Sequence, residues 1–123
     1  MAKIKWPKLP SYLIPLFNSA HIYLCRSKDE WVQAHQVIGV DHSGLEFSNG
    51  LCRHFNNDST GENIYLIGVF DNSLATLVHE CAHATFYCCS DVGVTTKPCD
   101  SNETYCYLLD RMFSHFLPYI KQD

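Results

Sequence analysis

The amino-acid sequence predicts an α+β domain in which a small, mostly antiparallel β-sheet packs against a central helix, with a second helix near the C-terminus. Two observations predict it: residues 63–70 are apolar on both alternating faces, and two segments of helical periodicity follow them. The 123 residues, 46% of them hydrophobic, are enough for one domain with its own core. We expect this domain to span residues 19–123, after an extended, Pro-containing arm at 1–18.

The first half of the chain is expected to contain one strand and one helix. Residues 21–25 are β-branched and aromatic, which is typical of a strand. Ser27 and Glu30 have the spacing of a capping box, and apolar residues then recur at helical spacing as far as Gly39. The first helix is therefore expected between Ser27 and Gly39.

A hairpin and an inner strand are expected next. Asn49-Gly50 separates short apolar runs at 45–47 and 51–53, which indicates a β-hairpin. The two apolar faces of residues 63–70 favour a strand that is covered on both sides of the sheet.

Two helices are expected in the C-terminal half. Residues 74–89 contain neither Gly nor Pro and follow potential cap residues at 71–73, so a helix of four turns or more is predicted there. The last helix is expected to begin near Asp100 or Ser101 and to weaken or end at Pro118.

Composition and charge exclude several classes of function. The net charge is −4, with nine Lys and Arg residues, and phosphate binding depends on those side chains. Nucleic acid is therefore not an expected partner. There is no apolar run of about 18 residues to span a membrane, and the Lys- and Pro-containing start does not match a secretory signal peptide. We expect a cytoplasmic protein; its oligomeric state is not predicted.

The seven cysteines are expected to be reduced, because their number is odd and no CxxC pair occurs. A separate thiolate metal site is one interpretation of the four C-terminal cysteines. Their spacing matches no usual zinc finger, and packing in the core is favoured. The four are Cys88, Cys89, Cys99 and Cys106.

The segment that carries chemistry is His79-Glu80-Cys81-Ala82-His83. Two imidazoles four residues apart stand on one face of a helix, where both can reach one Zn²⁺. Glu80 points about 100° further round the helix, so it can face the water in the open position of the ion and act as a general base. Glu103 lies twenty positions after His83, and a third, carboxylate ligand is what such a pair needs to become a catalytic site with one open position.

These residues resemble the gluzincin clan of zinc metallopeptidases, whose pattern is HExxH followed about twenty residues later by a ligating Glu. The resemblance covers residues 63–110 and is greatest to the small single-domain minigluzincins. It implies a zincin-like fold in which His79, His83 and Glu103 bind one zinc ion and Glu80 activates water. A metzincin is excluded, since that pattern needs Gly and His at the positions of Phe86 and Cys89.

The chain departs from the gluzincin pattern at two points. The Asp that usually follows the ligating Glu by four residues is Tyr107 here, and Asp110 is our substitute for orienting the first histidine. In the wider zincin fold an edge strand pairs with the substrate, which implicates residues 45–54. No donor to the transition state is identified by the pattern; the candidates are Tyr105, Tyr107, His115 and Tyr119.

The sequence thus predicts a zinc-dependent metallopeptidase that hydrolyses peptide bonds with zinc-activated water and Glu80 as general base, acting on a peptide or protein. An alternative is a catalytically idle zinc-binding module of the zincin fold that binds a partner protein, of the kind that phages or mobile elements encode. A third interpretation leaves His79 and His83 as ordinary hydrogen-bonded side chains. A DNA-associated protease of the SprT-like kind is disfavoured by the acidic pI of about 5.9 and the lack of a zinc ribbon.

Overall fold

The computed structural model describes residues 4–42, 48–57 and 61–120. Within them the chain forms four strands, three helices and one 3₁₀ turn. The strands are β1 (Ser11–Leu13), β2 (Ala20–Cys25), β3 (Gly50–Asn57) and β4 (Glu62–Val69). The helices are α1 (Lys28–Ile38), α2 (Leu74–Asp91) and α3 (Glu103–Phe116), and the 3₁₀ turn spans Leu117–Tyr119.

The four strands form one mixed sheet in the order β1-β2-β4-β3. β1 pairs with β2, and β3 with β4, in antiparallel directions, which agrees with the mostly antiparallel sheet that the sequence predicts. The central pair, β2 and β4, is parallel. A parallel pair needs a crossover connection, and α1 forms part of it between the two strands.

Helices cover both faces of the sheet. On one face α1 packs through Trp31 and Ala34 onto Leu66 of β4. On the other face α2 and α3 pack onto the opposite side of the same strand, through a cluster that includes Tyr65 and Ile67. The prediction that residues 63–70 form an inner strand is therefore confirmed, because β4 lies between two strands and is buried on both faces.

The helix boundaries follow local capping chemistry. The Ser27 hydroxyl accepts a hydrogen bond from the Glu30 amide at 3.1 Å, and Gly39 closes α1 in the left-handed region with φ of 86°. Ser73 caps α2 in the same way. The last helix begins at Glu103, slightly later than predicted, because Asn102 before it has left-handed φ and ψ of 51° and 45°.

The N-terminal arm differs from the sequence prediction, and the first half of the expected hairpin cannot be compared with it. The N-terminal arm is not wholly irregular, since it contains β1. Residues 45–47, the first half of the expected Asn49-Gly50 hairpin, lie outside the described residues. Gly50 is the first residue of β3, which pairs with β4.

The seven cysteines are all free thiols. Cys88 and Cys89 are buried in the core, as expected, whereas Cys99 and Cys106 are exposed. In the ranges that the structure describes, these four form no cluster that could hold a metal ion. No helix in the described part of the chain is long and apolar enough to cross a membrane.

Among the residues that the structure describes, one histidine, His35 of α1, is fully buried. Its Nδ1 lies 2.7 Å from the carbonyl oxygen of Trp31, while its Nε2 is buried and makes no hydrogen bond. Burial lowers the pKa of His35 below its ordinary value of 6.5, and the charge of Arg53 adds to this effect. The Trp31 carbonyl and Asp41 oppose it. The folded protein therefore favours the neutral imidazole.

We expect His35 to make folding stability fall as the pH drops below about 6.5, because the unfolded chain then binds a proton that the folded chain resists. In His35→Leu the free energy of unfolding should lose less between pH 8 and pH 5 than in the parent, as measured by urea denaturation. Ile38→Val, which trims the same cluster without removing a titratable group, should keep the parental slope. Equal slopes in the parent and His35→Leu would contradict this account.

Candidate metal centre

The start of α2 is held by a short network after β4. Asp71 accepts a hydrogen bond from the Ser73 amide at 3.2 Å and another from the Thr76 hydroxyl at 2.8 Å. One face of the helix is then buried against the sheet through Leu77, Cys81, Ala84 and Cys88. Because that face is fixed, His79 and His83 are held on the side of α2 that points away from the sheet.

His79 and His83 lie on the exposed side of α2, with their Nε2 atoms 3.2 Å apart. Two nitrogens that bind one tetrahedral zinc at ~2.0–2.1 Å should be separated by about 3.3–3.4 Å. The two imidazoles thus already have nearly the spacing that a shared ion requires. Their rings are 77° apart in orientation, with centroids 4.9 Å apart.

Glu80 completes the cluster from the buried side. Ligand atoms of His79, Glu80 and His83 all lie within 4.8 Å of one another, so these residues could hold a metal ion. Only 5% of Glu80 is exposed. Burial raises the pKa of its carboxyl above the ordinary value, and the two histidines act in the opposite direction. A carboxylate in this environment holds a proton more readily than one in water.

Strand β3 approaches α2 closely at Gly50, and this contact positions Glu80. A Cβ atom at position 50 would lie 2.7 Å from the Gly68 carbonyl oxygen and 3.0 Å from Oε2 of Glu80. It would also lie 2.5 Å from a methyl group of Thr76. Only glycine therefore leaves room for the carboxylate against the strand. The Asn49-Gly50 pattern predicts a turn. Nothing in it indicates that Gly50 leaves room for the Glu80 carboxylate.

Glu103 is not part of the cluster. It is exposed at the first position of α3 and lines a hollow of about 310 Å³ with Thr95 and Thr96. The same two threonines line a second hollow of about 660 Å³ that reaches His83. The loop at 94–96 therefore borders both Glu103 and His83. The assignment of Glu103 as the third ligand stays a prediction.

The backbone of Glu103 is nevertheless held near α2. Tyr105, two residues further on and about 5.4 Å away between Cα atoms, donates a hydrogen bond to the carbonyl of Ala82 at 3.3 Å. Its ring lies 4.5 Å from that of Phe86. Ala82 directly precedes His83, so the first turn of α3 lies alongside the HExxH segment.

Asn102 fixes the loop that leads into α3. Its side-chain oxygen accepts a hydrogen bond from the Lys97 amide at 3.0 Å, and its nitrogen donates to the carbonyls of Lys97 and Asp100 at 2.9 and 3.1 Å. Its left-handed backbone is also one that Asn tolerates better than most residues. Asn102 thus sets where Glu103 starts the helix.

The suggested transition-state donors are scattered. Tyr105 is the one whose hydroxyl contacts the HExxH helix, and it is engaged there by Ala82. Tyr107 lies against Arg111, and His115 lies 2.7 Å from the Ser11 carbonyl of β1. Tyr119 contacts Arg26. Asp110, our substitute for orienting His79, accepts a hydrogen bond from Ser114 in its own helix.

Sequence reasoning missed a second polar group further along α2. His54 of β3 stacks on Tyr87, with ring centroids 5.2 Å apart, and its Nε2 lies 3.5 Å from Asp91. Tyr65 donates a hydrogen bond to the same carboxylate. Tyr87 follows His83 by four residues, so the spacing of the two histidines, continued by one turn, indicates that Tyr87 lies on the same face of the helix. No spacing in the sequence connects His54 to Asp91.

In comparisons with known proteins, no family model, no curated protein and no solved structure matches this chain. The functional interpretation therefore depends on the residues and the geometry described above.

Metal content provides the first test of the site. After dialysis against excess zinc, we expect about one zinc per chain in the parent and none in His83→Ala. Glu103→Gln should bind zinc at least about tenfold more weakly, because it would replace the charged group of the expected third ligand by a neutral amide. His21→Ala, at a histidine outside the cluster, is the control and should retain the metal. Unchanged zinc affinity in Glu103→Gln would remove Glu103 from the ligand set.

The role of Asn102 is tested with two variants. Asn102→Ala loses three hydrogen bonds and strains the left-handed backbone, so we expect a loss of roughly 1–3 kcal/mol in the free energy of unfolding. Asn102→Gly keeps the backbone conformation and should lose less. Both should weaken zinc binding, whereas the control His21→Ala should not. Parental zinc affinity in both variants would show that the loop does not position Glu103.

Proposed function

We propose that this protein is a zinc-dependent metallopeptidase of the gluzincin type. The observation that supports it most is the 3.2 Å approach of the His79 and His83 Nε2 atoms beside the buried carboxylate of Glu80. Imidazole nitrogens are preferred ligands of zinc, and a carboxylate next to the pair is what base-assisted hydrolysis requires. His79, His83 and Glu103 are the proposed ligands of one Zn²⁺.

Each side chain has a separate task in the proposed reaction. A bound zinc ion would supply a Lewis acid and lower the pKa of water toward neutrality. Glu80 accepts the proton of the attacking water and returns it to the leaving amine. The raised pKa of Glu80 suits proton transfer, since a carboxylate with a low pKa is a weak base and accepts protons poorly near pH 7. Gly50 leaves room for the carboxylate against β3, where a Cβ atom would lie 3.0 Å from Oε2.

The proposed substrate is an extended peptide or protein segment. β3 lies at one edge of the sheet and contacts α2, so a peptide could add to the sheet beside the imidazoles. Residues 50–54 of the segment expected to form the cleft edge belong to this strand. The hollow next to His83, with Phe86 and Tyr87 in its wall, has room for a substrate side chain.

Two observations favour the alternative, a zinc-binding module without activity that engages a partner protein. Glu103 stands outside the imidazole cluster, and large apolar side chains around the site are exposed. Exposed apolar groups of this kind are common at protein interfaces. The exposed residues are Val78, Phe86, Tyr87 and Tyr107.

The peptidase proposal is tested by Glu80→Gln. The zinc-loaded parent should cleave an unfolded, fluorescently labelled protein, and a chelator should abolish the cleavage. Glu80→Gln should keep its zinc and lose at least about 100-fold in kcat/KM, since the amide cannot accept the proton. Asp29→Asn, which removes a carboxylate charge from the start of α1, is the control and should cleave normally.

Two results would contradict the proposed mechanism or the proposed activity. Undiminished hydrolysis by Glu80→Gln would reject Glu80 as the base. A zinc-loaded parent that cleaves neither unfolded proteins nor itself would favour the binding module.

A further inference from the structure

A group of aromatic and charged side chains lies where β3 passes the C-terminal half of α2. The imidazole of His54 packs against the rings of Tyr65 and Tyr87, whose centroids are 5.5 and 5.2 Å from its own. Its Nε2 is 3.5 Å from the Asp91 carboxylate, which also accepts a hydrogen bond from the hydroxyl of Tyr65. Tyr65 is fully buried. The imidazole is therefore held in one place by three side chains.

Tyr87 and Glu80 lie on one stripe of α2 that faces β3. Seven residues separate them, which places them about 20° apart around the helix and about 10.5 Å apart along it. Gly50 of β3 lies against Glu80 at one end of this stripe, and His54 lies against Tyr87 at the other. The four strand residues from 50 to 54 span about 13 Å. The edge strand and the stripe therefore run side by side from the proposed general base to Tyr87.

Tyr87 also belongs to the wall of the hollow that reaches His83. A helical side chain leans toward the N-terminus of its helix, so the Tyr87 side chain leans toward the turn that carries His83. Tyr87 is 40% exposed, and within the described ranges its hydroxyl has no hydrogen-bond partner. A phenolic hydroxyl can donate a hydrogen bond. Tyr87 thus offers a donor beside the proposed zinc site.

We propose that Tyr87 binds the substrate, donating a hydrogen bond from its hydroxyl to a backbone carbonyl of an extended peptide, and that His54 positions the Tyr87 ring. This inference rests on the peptide site of the proposed function, in which the peptide adds to β3 beside the imidazoles. Tyr87 lies about 6 Å further along α2 than His83, which corresponds to roughly two residues of extended chain. The contact therefore holds the peptide and takes no part in proton transfer.

Binding of a peptide chain without cleavage tests the contact. Zinc-loaded Glu80→Gln should bind fluorescently labelled casein, an unfolded protein, and fluorescence anisotropy gives the Kd. Adding Tyr87→Phe, which removes the hydroxyl and keeps the ring against His54, should weaken binding at least about threefold. The matched control Tyr12→Phe, on the opposite edge strand of the sheet, should not. In the cleaving parent, Tyr87→Phe should raise KM by the same factor and leave kcat unchanged.

The positioning role of His54 is tested by a double-mutant cycle. His54→Ala should weaken casein binding at least about threefold when Tyr87 is present, because the ring loses the group it stacks on. In a Tyr87→Ala background the same substitution should have little further effect. Zinc content and circular dichroism show that each variant is folded and loaded. An equal loss in both backgrounds would limit His54 to a role in folding.

The outcomes distinguish this contact from the proposed activity. Parental casein affinity in Tyr87→Phe, equal effects of His54→Ala in both backgrounds, or no binding of casein to zinc-loaded Glu80→Gln would overturn the proposal. Cleavage by the parent that Tyr87→Phe leaves unchanged would remove the contact and leave the metallopeptidase proposal standing. Selective weakening of casein binding in a zinc-loaded protein that cleaves nothing would support the contact and reject the activity.

Discussion

The candidate function depends on one contact, the approach of two imidazole Nε2 atoms to 3.2 Å across a single turn of α2. The distance is that of a hydrogen bond between the two rings, and a shared metal ion requires nearly the same separation. The geometry of the helix and the burial of its opposite face bring the two rings together on the exposed side of α2. The protein therefore needs to keep this helix straight and correctly rotated.

The rest of the fold provides that constraint. β4 is buried on both faces, and the short connection after it is held by Asp71 and the Ser73 cap, which fixes where α2 begins. Gly50 lets β3 approach the helix closely enough to hold the Glu80 carboxylate between strand and imidazoles. Substituting Gly50 would thus disturb packing and chemistry together. Asn102 acts at a distance in a similar way, since it fixes the loop before Glu103.

Local chemistry explains what the sequence could predict. Ser27 and Gly39 bound α1 because caps act within a few residues, and the His79–His83 pair follows from helix periodicity alone. The parallel pairing of β2 and β4 depends on a crossover between distant segments, and β1 forms only through its pairing with β2. The direction of Glu103 depends on the left-handed backbone of Asn102 and on side-chain hydrogen bonds that span the loop. Such long-range or side-chain-dependent features leave no periodic pattern.

The central claim is that His79 and His83 bind one zinc ion together. X-ray absorption spectroscopy of the protein loaded with one equivalent of zinc tests it most directly. The account predicts the multiple-scattering signature of two imidazoles, with nitrogen and oxygen at ~2.0–2.2 Å. A shell of sulfur at about 2.3 Å, the distance of a zinc–thiolate bond, would place the ion on cysteines and contradict the account.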